Sequence, residues 1–185
     1  MDKKLTIINI VLVLLAIFLG YLVYNSISQP LVFENTKRER ETKVVQNLKD
    51  IRSSQDLFKD YYNRYTANFD SLIEFIKVGE LPLINIVKDP NDTTDTKTIN
   101  DTVGFVKVMD SLFKDRTNFN VEALRYIPFS DPQQEFEIQA GYITRGGMNV
   151  PVFEVKAHYN TYLNGLDPQR IRNEAAQREN LNKYP

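Results

Sequence analysis

Few side chains in this sequence have the types and spacing that covalent chemistry requires. His158 is the single histidine, and Ser111 and Lys114 form a Ser-x-x-Lys pair in which a lysine could activate a serine nucleophile. The companion motifs of serine–lysine enzymes are missing, and a lone histidine at a strand end is typical of a surface or packed residue. The sequence has no Gly-rich phosphate loop and no metal-binding histidine cluster. It therefore predicts that the protein is not an enzyme.

The segment 88–101, KDPNDTTDTKTIND, carries carboxylate and amide oxygens that a calcium ion could bind. Its spacing departs from the twelve-residue calcium loop, which needs a Gly at the sixth place and a Glu at the twelfth. We therefore predict a solvated surface loop, with calcium binding as the alternative and no other cofactor. The sequence has no cysteine, which excludes disulfides, thiol catalysis and cysteine-bound zinc.

Residues 5–24 form a nearly unbroken apolar run, LTIINIVLVLLAIFLGYLVY. At about 1.5 Å per residue, a helix of this length spans the roughly 30 Å hydrocarbon core of a bilayer. Signal peptides have apolar cores of about 7 to 15 residues before a small-residue cleavage site, so an uncleaved anchor is predicted and a cleaved signal is the alternative. Lys3 and Lys4 flank the run closely, which places the N-terminus in the cytoplasm. Within the run, Asn9 and Gly20 would permit close contacts to other membrane helices.

The segment 34–65 is predicted to be a long amphipathic helix, which we call the stem. From Val44 its apolar residues recur at alternating spacings of four and three, with Gln55 as the only polar interruption. The stem is expected to continue from the membrane helix with a kink at Pro30 and to pack on a sheet of its own domain; a coiled coil is the alternative. Aromatic residues near its end are the candidates for a partner interface: Phe58, Tyr61, Tyr62 and Tyr65.

The rest of the chain predicts a short helix, a small sheet and a last helix. The short helix spans 71–78, with Asn68 or Asp70 as its cap and Gly79 at its end. The clearest hairpin joins 136–142 to 150–159 through Gly146 and Gly147. Further predicted elements are a strand at 102–109, a helical turn at 110–115, a strand at 124–129, and from 167 a helix that is either a loosely docked tail or ordered by a partner.

Taken together, these patterns predict an α+β fold in which a single transmembrane helix continues into a long amphipathic helix packed on a small antiparallel β-sheet. The net charge of −1 indicates no nucleic acid partner. The predicted divisions are a cytoplasmic stub with the anchor, an extracytoplasmic domain with its sheet at about 103–159, and a C-terminal helix or tail: 1–30, 31–166 and 167–185.

Two stretches of the chain carry a resemblance to a known family: KLTIINIV at 4–11 and IRSSQDLFKDYYNRY at 51–65. The first resembles the processed beginning of type IV pilins and type II secretion pseudopilins, where an aromatic residue, a Thr, two aliphatic residues and a Glu open a long membrane helix. The second resembles the end of the pseudopilin stem, with paired aromatic residues before a short helix. Lys4 stands where the family has the Gly of its cleavage site, and Asn9 where it has the Glu, so processing is not expected.

This resemblance implies a single-pass protein of the bacterial inner membrane with its domain in the periplasm. It would be a structural or adaptor subunit of an envelope assembly, pilin-like or pseudopilin-like. Its partners would be the lipid bilayer, other envelope or secretion-system proteins, or further copies of itself. The alternative is an anchored extracytoplasmic module that binds a small ligand between the stem and the sheet.

Overall fold

The computed structural model describes residues 3–88 and 98–183. Its longest element is helix α1, Lys3–Tyr62, which has 60 residues. At about 1.5 Å per residue the helix is roughly 90 Å long. Pro30 lies inside α1 without ending it, although a proline removes one backbone hydrogen bond. The predicted stem is therefore continuous with the apolar run, and it ends at Tyr62 rather than Tyr65.

The apolar part of α1 is not covered by the rest of the described chain. Large apolar side chains between Ile7 and Tyr24 are 46% to 71% exposed, and no residue of the most apolar window is buried. The mean hydropathy of that window is 2.7, and no other helix among the described residues is long and apolar enough to cross a membrane. By length and composition, this helix is compatible with a single-pass membrane anchor.

The elements after α1 alternate between helix and strand, and the described strands form two separate antiparallel hairpins. Strand β1 pairs only with β2, and β3 pairs only with β4. The prediction of a single small sheet is therefore wrong, whereas the α+β class and the antiparallel pairing are confirmed. The elements are α2 Phe69–Val78, β1 Glu80–Lys88, β2 Thr98–Lys107, α3 Val108–Phe113, a 3₁₀ helix Val121–Arg125, β3 Glu137–Arg145, β4 Met148–Lys156, α4 Tyr159–Tyr162 and α5 Pro168–Lys183.

Helix α1 packs in the domain against other helices rather than on a sheet. Its main neighbours are α2, α3, α4 and the 3₁₀ helix. The short helix α2 explains this packing. Its apolar side chains cover the apolar stripe of the stem. The buried residues of α2 are Phe69, Leu72, Ile73, Phe75 and Ile76. The predicted packing of the stem on a sheet is thus replaced by helix-on-helix packing.

Two predictions of local structure are wrong, one in type and one at its boundaries. The strand at 124–129 is instead the end of the 3₁₀ helix, followed by one isolated bridge between Tyr126 and Glu135. The loop predicted at 88–101 overlaps strands at both of its ends, because β1 continues to Lys88 and β2 begins at Thr98. The residues between these strands, and with them most of the predicted calcium loop, lie outside the described residues.

The predicted hairpin and the first short helix are confirmed, together with the residues that form the turn of the hairpin and the ends of the helix. Gly146 and Gly147 have φ angles of 60° and 80°, which a tight turn requires and which glycine adopts without strain. Asn68, one of the two predicted caps, accepts a hydrogen bond from the backbone N–H of Asp70 at 2.7 Å. Gly79 ends α2 by donating its N–H to the Phe75 carbonyl oxygen at 2.8 Å, and a Cβ at Gly79 would collide with that oxygen.

Charged side chains hold α5 along α1. Lys37 Nζ lies 2.7 Å from Glu174 Oε2, and one turn further along both helices Arg178 lies 3.3 Å from Glu41. From the first ion pair to the second, the residue number increases by four on each helix, so the two helices run parallel. Ile171 is 6% exposed and supplies the apolar contact. The C-terminal segment is thus a helix docked on its own chain, and ion pairs make up for its thin apolar face.

Two side chains near this docking site have pKa values that burial and neighbouring charges shift. Burial raises the pKa of Tyr162, because its phenolate would form away from water. Burial lowers the pKa of Lys37, but the hydrogen bonds and negative charges of Glu174 and Glu34 outweigh this effect, so the net shift is upward. Both folded-state values therefore lie above those of the unfolded chain.

We expect folding stability to fall as the pH rises above about 10, the ordinary pKa range of tyrosine and lysine. Above that pH the unfolded chain releases protons that folded Tyr162 and Lys37 retain, so the stabilisation present at lower pH is lost as pH increases. Thermal unfolding of the full-length protein in detergent, from about pH 8 to pH 11, measures this decline. Tyr162→Phe should make the decline shallower, and Tyr142→Phe, at an exposed ring, should not. Equal slopes for the two variants would contradict this prediction.

Candidate functional site

The end of α1 and the hairpin β3–β4 enclose a cleft of about 410 Å³, which we call the distal cleft. It lies at the end of α1 that is remote from the apolar run. Tyr142 and its neighbours on β3 form one wall, and the chain that leaves α1 forms the other. The lining residues are Phe58, Arg64, Tyr65, Thr66, Ala67, Ser71, Ala140, Gly141 and Tyr142.

A buried glutamine fixes the loop that forms one wall of this cleft. Gln55 is fully buried in α1, and its Nε2 donates a hydrogen bond to the Thr66 carbonyl oxygen at 2.7 Å. The backbone N–H of Thr66 donates to Gln55 Oε1 at 3.1 Å. One amide side chain thus satisfies both backbone groups of one loop residue, as a neighbouring strand would. In the sequence this residue looked only like a polar interruption of the apolar stripe.

Tyr65 is held in place by contacts on two sides. Its hydroxyl donates to Asp56 Oδ1 at 3.2 Å, and its ring lies against Phe153 of β4 with 4.6 Å between ring centroids. Burial, the hydrogen bond to Asp56 and the charge of that carboxylate raise the pKa of Tyr65. The hydroxyl therefore remains a protonated donor at neutral pH. This ring links the end of the stem to the second hairpin.

The four aromatic residues predicted as interface candidates have different surroundings. Phe58 is 5% exposed and packs edge-on against Phe75 at 5.3 Å, so it belongs to the core. Tyr65 is partly buried in the contacts just described. Tyr61 and Tyr62 remain 53% and 48% exposed. Of the four, these two tyrosines leave the most ring surface open to a partner.

The hairpin β3–β4 adds exposed apolar side chains that the sequence analysis did not identify. Near its tip, both alternating sets contain exposed apolar residues, so such residues lie on both faces of the hairpin. Exposed apolar patches on a soluble domain mark interaction sites more often than isolated apolar residues do. We call the exposed residues at this end the distal surface: Tyr61 53%, Tyr62 48%, Tyr142 61%, Ile143 47%, Met148 70% and Val150 39% exposed.

Asn9 and Gly20 lie in the uncovered part of α1. At 100° per residue they are about 20° apart around the helix and so share one face. Phe33, which packs on the domain, lies roughly 140° around the helix from Gly20. No part of the described chain comes within 4 Å of a Cβ built on Gly20. The domain therefore does not cover this face of α1.

The residues considered for catalysis lie apart and on the surface. His158 has 72% of its side chain exposed, and its Nε2 lies 3.3 Å from Glu137 Oε1. Ser111 and Lys114 are both exposed, at the end of α3 and just after it. Among the residues that the structure describes, no three acidic or histidine side chains are placed to hold a metal ion. The absence of an enzymatic activity stays a prediction.

No protein-family model, no curated protein and no solved structure matches this chain significantly. The resemblance to pilins and pseudopilins stays a prediction that no match supports or refutes.

Proposed function

We propose that this protein is a single-pass membrane protein of the bacterial envelope that works as a structural or adaptor subunit through protein–protein contacts. One observation carries the proposal. A single unbroken helix joins an uncovered apolar segment of membrane-spanning length to a domain whose far end exposes aromatic side chains. From Tyr24 to Tyr62 the helix rises by roughly 57 Å, so the anchor would hold the distal surface far from the bilayer.

The proposed orientation rests on the charges next to the anchor. Lys3 and Lys4 directly precede the apolar run, and the positive-inside rule weights such close charges most. The N-terminus would then lie in the cytoplasm and the domain in the periplasm. Tyr21 and Tyr24, 62% and 71% exposed, would lie at the outer membrane–water boundary, where tyrosines are enriched.

Two surfaces support contacts with other proteins. The distal surface exposes six large side chains of the kind that form interface cores, among them three tyrosines. In the membrane, the side-chain amide of Asn9 could exchange hydrogen bonds with a neighbouring helix, and Gly20 would allow the two backbones to approach closely. The neighbour would be a second copy or another envelope protein. The long helix leading into a small α+β domain also fits the pilin-like assignment.

Replacing both Tyr61 and Tyr142 with serine should abolish binding of the protein partner. Both rings are more than half exposed, so the domain should still fold. Loss of buried interface aromatics typically costs about 2 to 4 kcal/mol each, or roughly a 30-fold to 1000-fold loss of affinity. Co-purification from detergent-solubilised membranes measures the effect. Phe105→Ser on the β1–β2 hairpin, at a ring that is 66% exposed, is the matched control. Undiminished partner recovery with the double variant would exclude the distal surface.

The distal cleft gives a specific observation in favour of the second candidate function, binding of a small ligand. Its volume of about 410 Å³ is in the range of ligand sites, and polar groups of Arg64, Thr66 and Ser71 line it. Ser71→Trp would fill the cleft and should release any small molecule that native mass spectrometry finds on the purified protein. Retention of that molecule by the variant would place it elsewhere.

A further inference from the structure

We propose that a second cleft, at the membrane-side end of the domain, binds one phospholipid of the membrane that α1 crosses. This inference rests on the proposed anchoring of α1. The cleft, which we call the proximal cleft, has a volume of about 360 Å³ and lies between α1 and the start of α5. Its lining residues are Ser28, Gln29, Val32, Phe33, Gly165, Leu166, Asp167 and Arg170.

The position of the cleft along α1 sets its distance from the bilayer. Ser28 lies four residues beyond Tyr24 and Phe33 nine, which corresponds to about 6 Å and 14 Å along an unbroken helix. The headgroup layer on each side of a bilayer is roughly 5 to 8 Å thick. The Ser28 end of the cleft therefore lies in the headgroup layer, and its Phe33 end lies roughly 6 to 9 Å beyond that layer.

The exposed surface around the cleft is apolar, which fits a lipid-facing position. Ile27, Leu31 and Val32 are 63%, 59% and 64% exposed, although they lie beyond the apolar run. Such side chains favour contact with an apolar partner over contact with water. The end of the domain that carries the cleft is thus suited to rest against the membrane surface.

Arg170 supplies the group that would bind a lipid phosphate. Its guanidinium lies over the ring of Phe33 at 5.7 Å, and its Nε is 3.4 Å from Asp167 Oδ2. The other oxygen of Asp167 is engaged in capping α5, where it accepts the N–H of Gln169 at 2.8 Å. Within the described chain, the two terminal nitrogens of Arg170 donate no hydrogen bond.

The guanidinium geometry favours a phosphodiester as the ligand. Two parallel N–H groups match two phosphate oxygens, and the aromatic ring of Phe33 fixes the plane of the guanidinium. Val32 and Leu166 give the cleft an apolar wall that would lie beside the bound headgroup.

Native mass spectrometry of the full-length protein, released from nanodiscs of phosphatidylethanolamine and phosphatidylglycerol, tests this inference. We expect one phospholipid to remain bound per chain, and Arg170→Gln to reduce the lipid-bound fraction at least tenfold. Arg172→Gln removes the same charge from an exposed position of α5 that does not line the cleft, and should retain the lipid. Ser28→Trp fills the cleft without changing its charge and should also lose the lipid.

Three outcomes would overturn the inference: no lipid retained by the unaltered protein, equal retention by Arg170→Gln, or equal retention by Ser28→Trp. Carbonate extraction of the same four proteins separates this result from the anchoring itself. If all four stay in the membrane and lipid retention does not differ, the cleft proposal fails while the anchor stands. If none stays in the membrane, the proposed function fails together with the inference.

Discussion

Replacing both Leu14 and Ile17 with arginine is expected to release the protein from the membrane. Each arginine near the centre of a membrane helix costs about 2.5 to 3.5 kcal/mol on insertion scales, so the pair costs roughly 5 to 7 kcal/mol. The expected shift in membrane partitioning is more than a thousandfold. Because both side chains are about 60% exposed, at 61% and 64%, the domain should fold unchanged. The carbonate-resistant fraction of the protein in isolated membranes measures the effect.

Arginine at Thr42 and Val45 provides a matched control. These positions have the same spacing on the same helix and are exposed, but they lie in the stem, beyond the predicted membrane boundary. This variant should remain in the membrane. Retention of the Leu14 and Ile17 variant would contradict the anchor, and an unaltered protein found only in a form shortened near Ser26 would establish the cleaved-signal alternative.

The substitution Gln55→Leu should destabilise the distal cleft and the whole domain. Leucine fills nearly the same volume but leaves the N–H and the carbonyl of Thr66 without their partner. Each unsatisfied buried group costs about 1 to 3 kcal/mol, so we expect the two groups together to cost roughly 2 to 6 kcal/mol. Hydrogen exchange of the full-length protein in detergent should show faster exchange at Thr66, and thermal unfolding should shift to lower temperature.

Gln177→Leu, at an exposed position of α5, is the control for the Gln55 substitution. It changes the same side chain on a helix surface and should move stability by no more than about 0.5 kcal/mol. If Gln55→Leu and Gln177→Leu have the same unfolding temperature and the same exchange at Thr66, the glutamine does not support the loop.

The periodicity of apolar residues and the turn-forming residues predicted those elements that depend only on nearby sequence. The spacing of four and three gave the stem, and Gly146-Gly147 between two alternating runs gave the second hairpin. The strand predicted at 124–129 is wrong because Val121, Leu124 and Ile127 are spaced by three, a period that fits a 3₁₀ helix and the turn after it. Strand β1 was missed because its run ELPLINIV does not alternate and contains Pro82.

The candidate site was only partly predictable, since it depends on which residues meet across the chain. In the sequence Phe58 and Tyr61 are equivalent members of one aromatic group, and only their packing against α2 separates the buried ring from the exposed one. The ion pair between Lys37 and Glu174 likewise joins residues that are remote in sequence. The anchor, by contrast, depends on composition alone and needed no tertiary contact.

The proposed subunit role is tested by the mass and composition of the complex that a C-terminally tagged protein forms in mild detergent. We predict co-purification at a fixed ratio with another envelope protein or with further copies of the chain, and loss of that ratio in the Tyr61→Ser and Tyr142→Ser double variant. Recovery of a lone, full-length monomer from intact membranes would contradict the account and turn attention to a small ligand in the distal cleft.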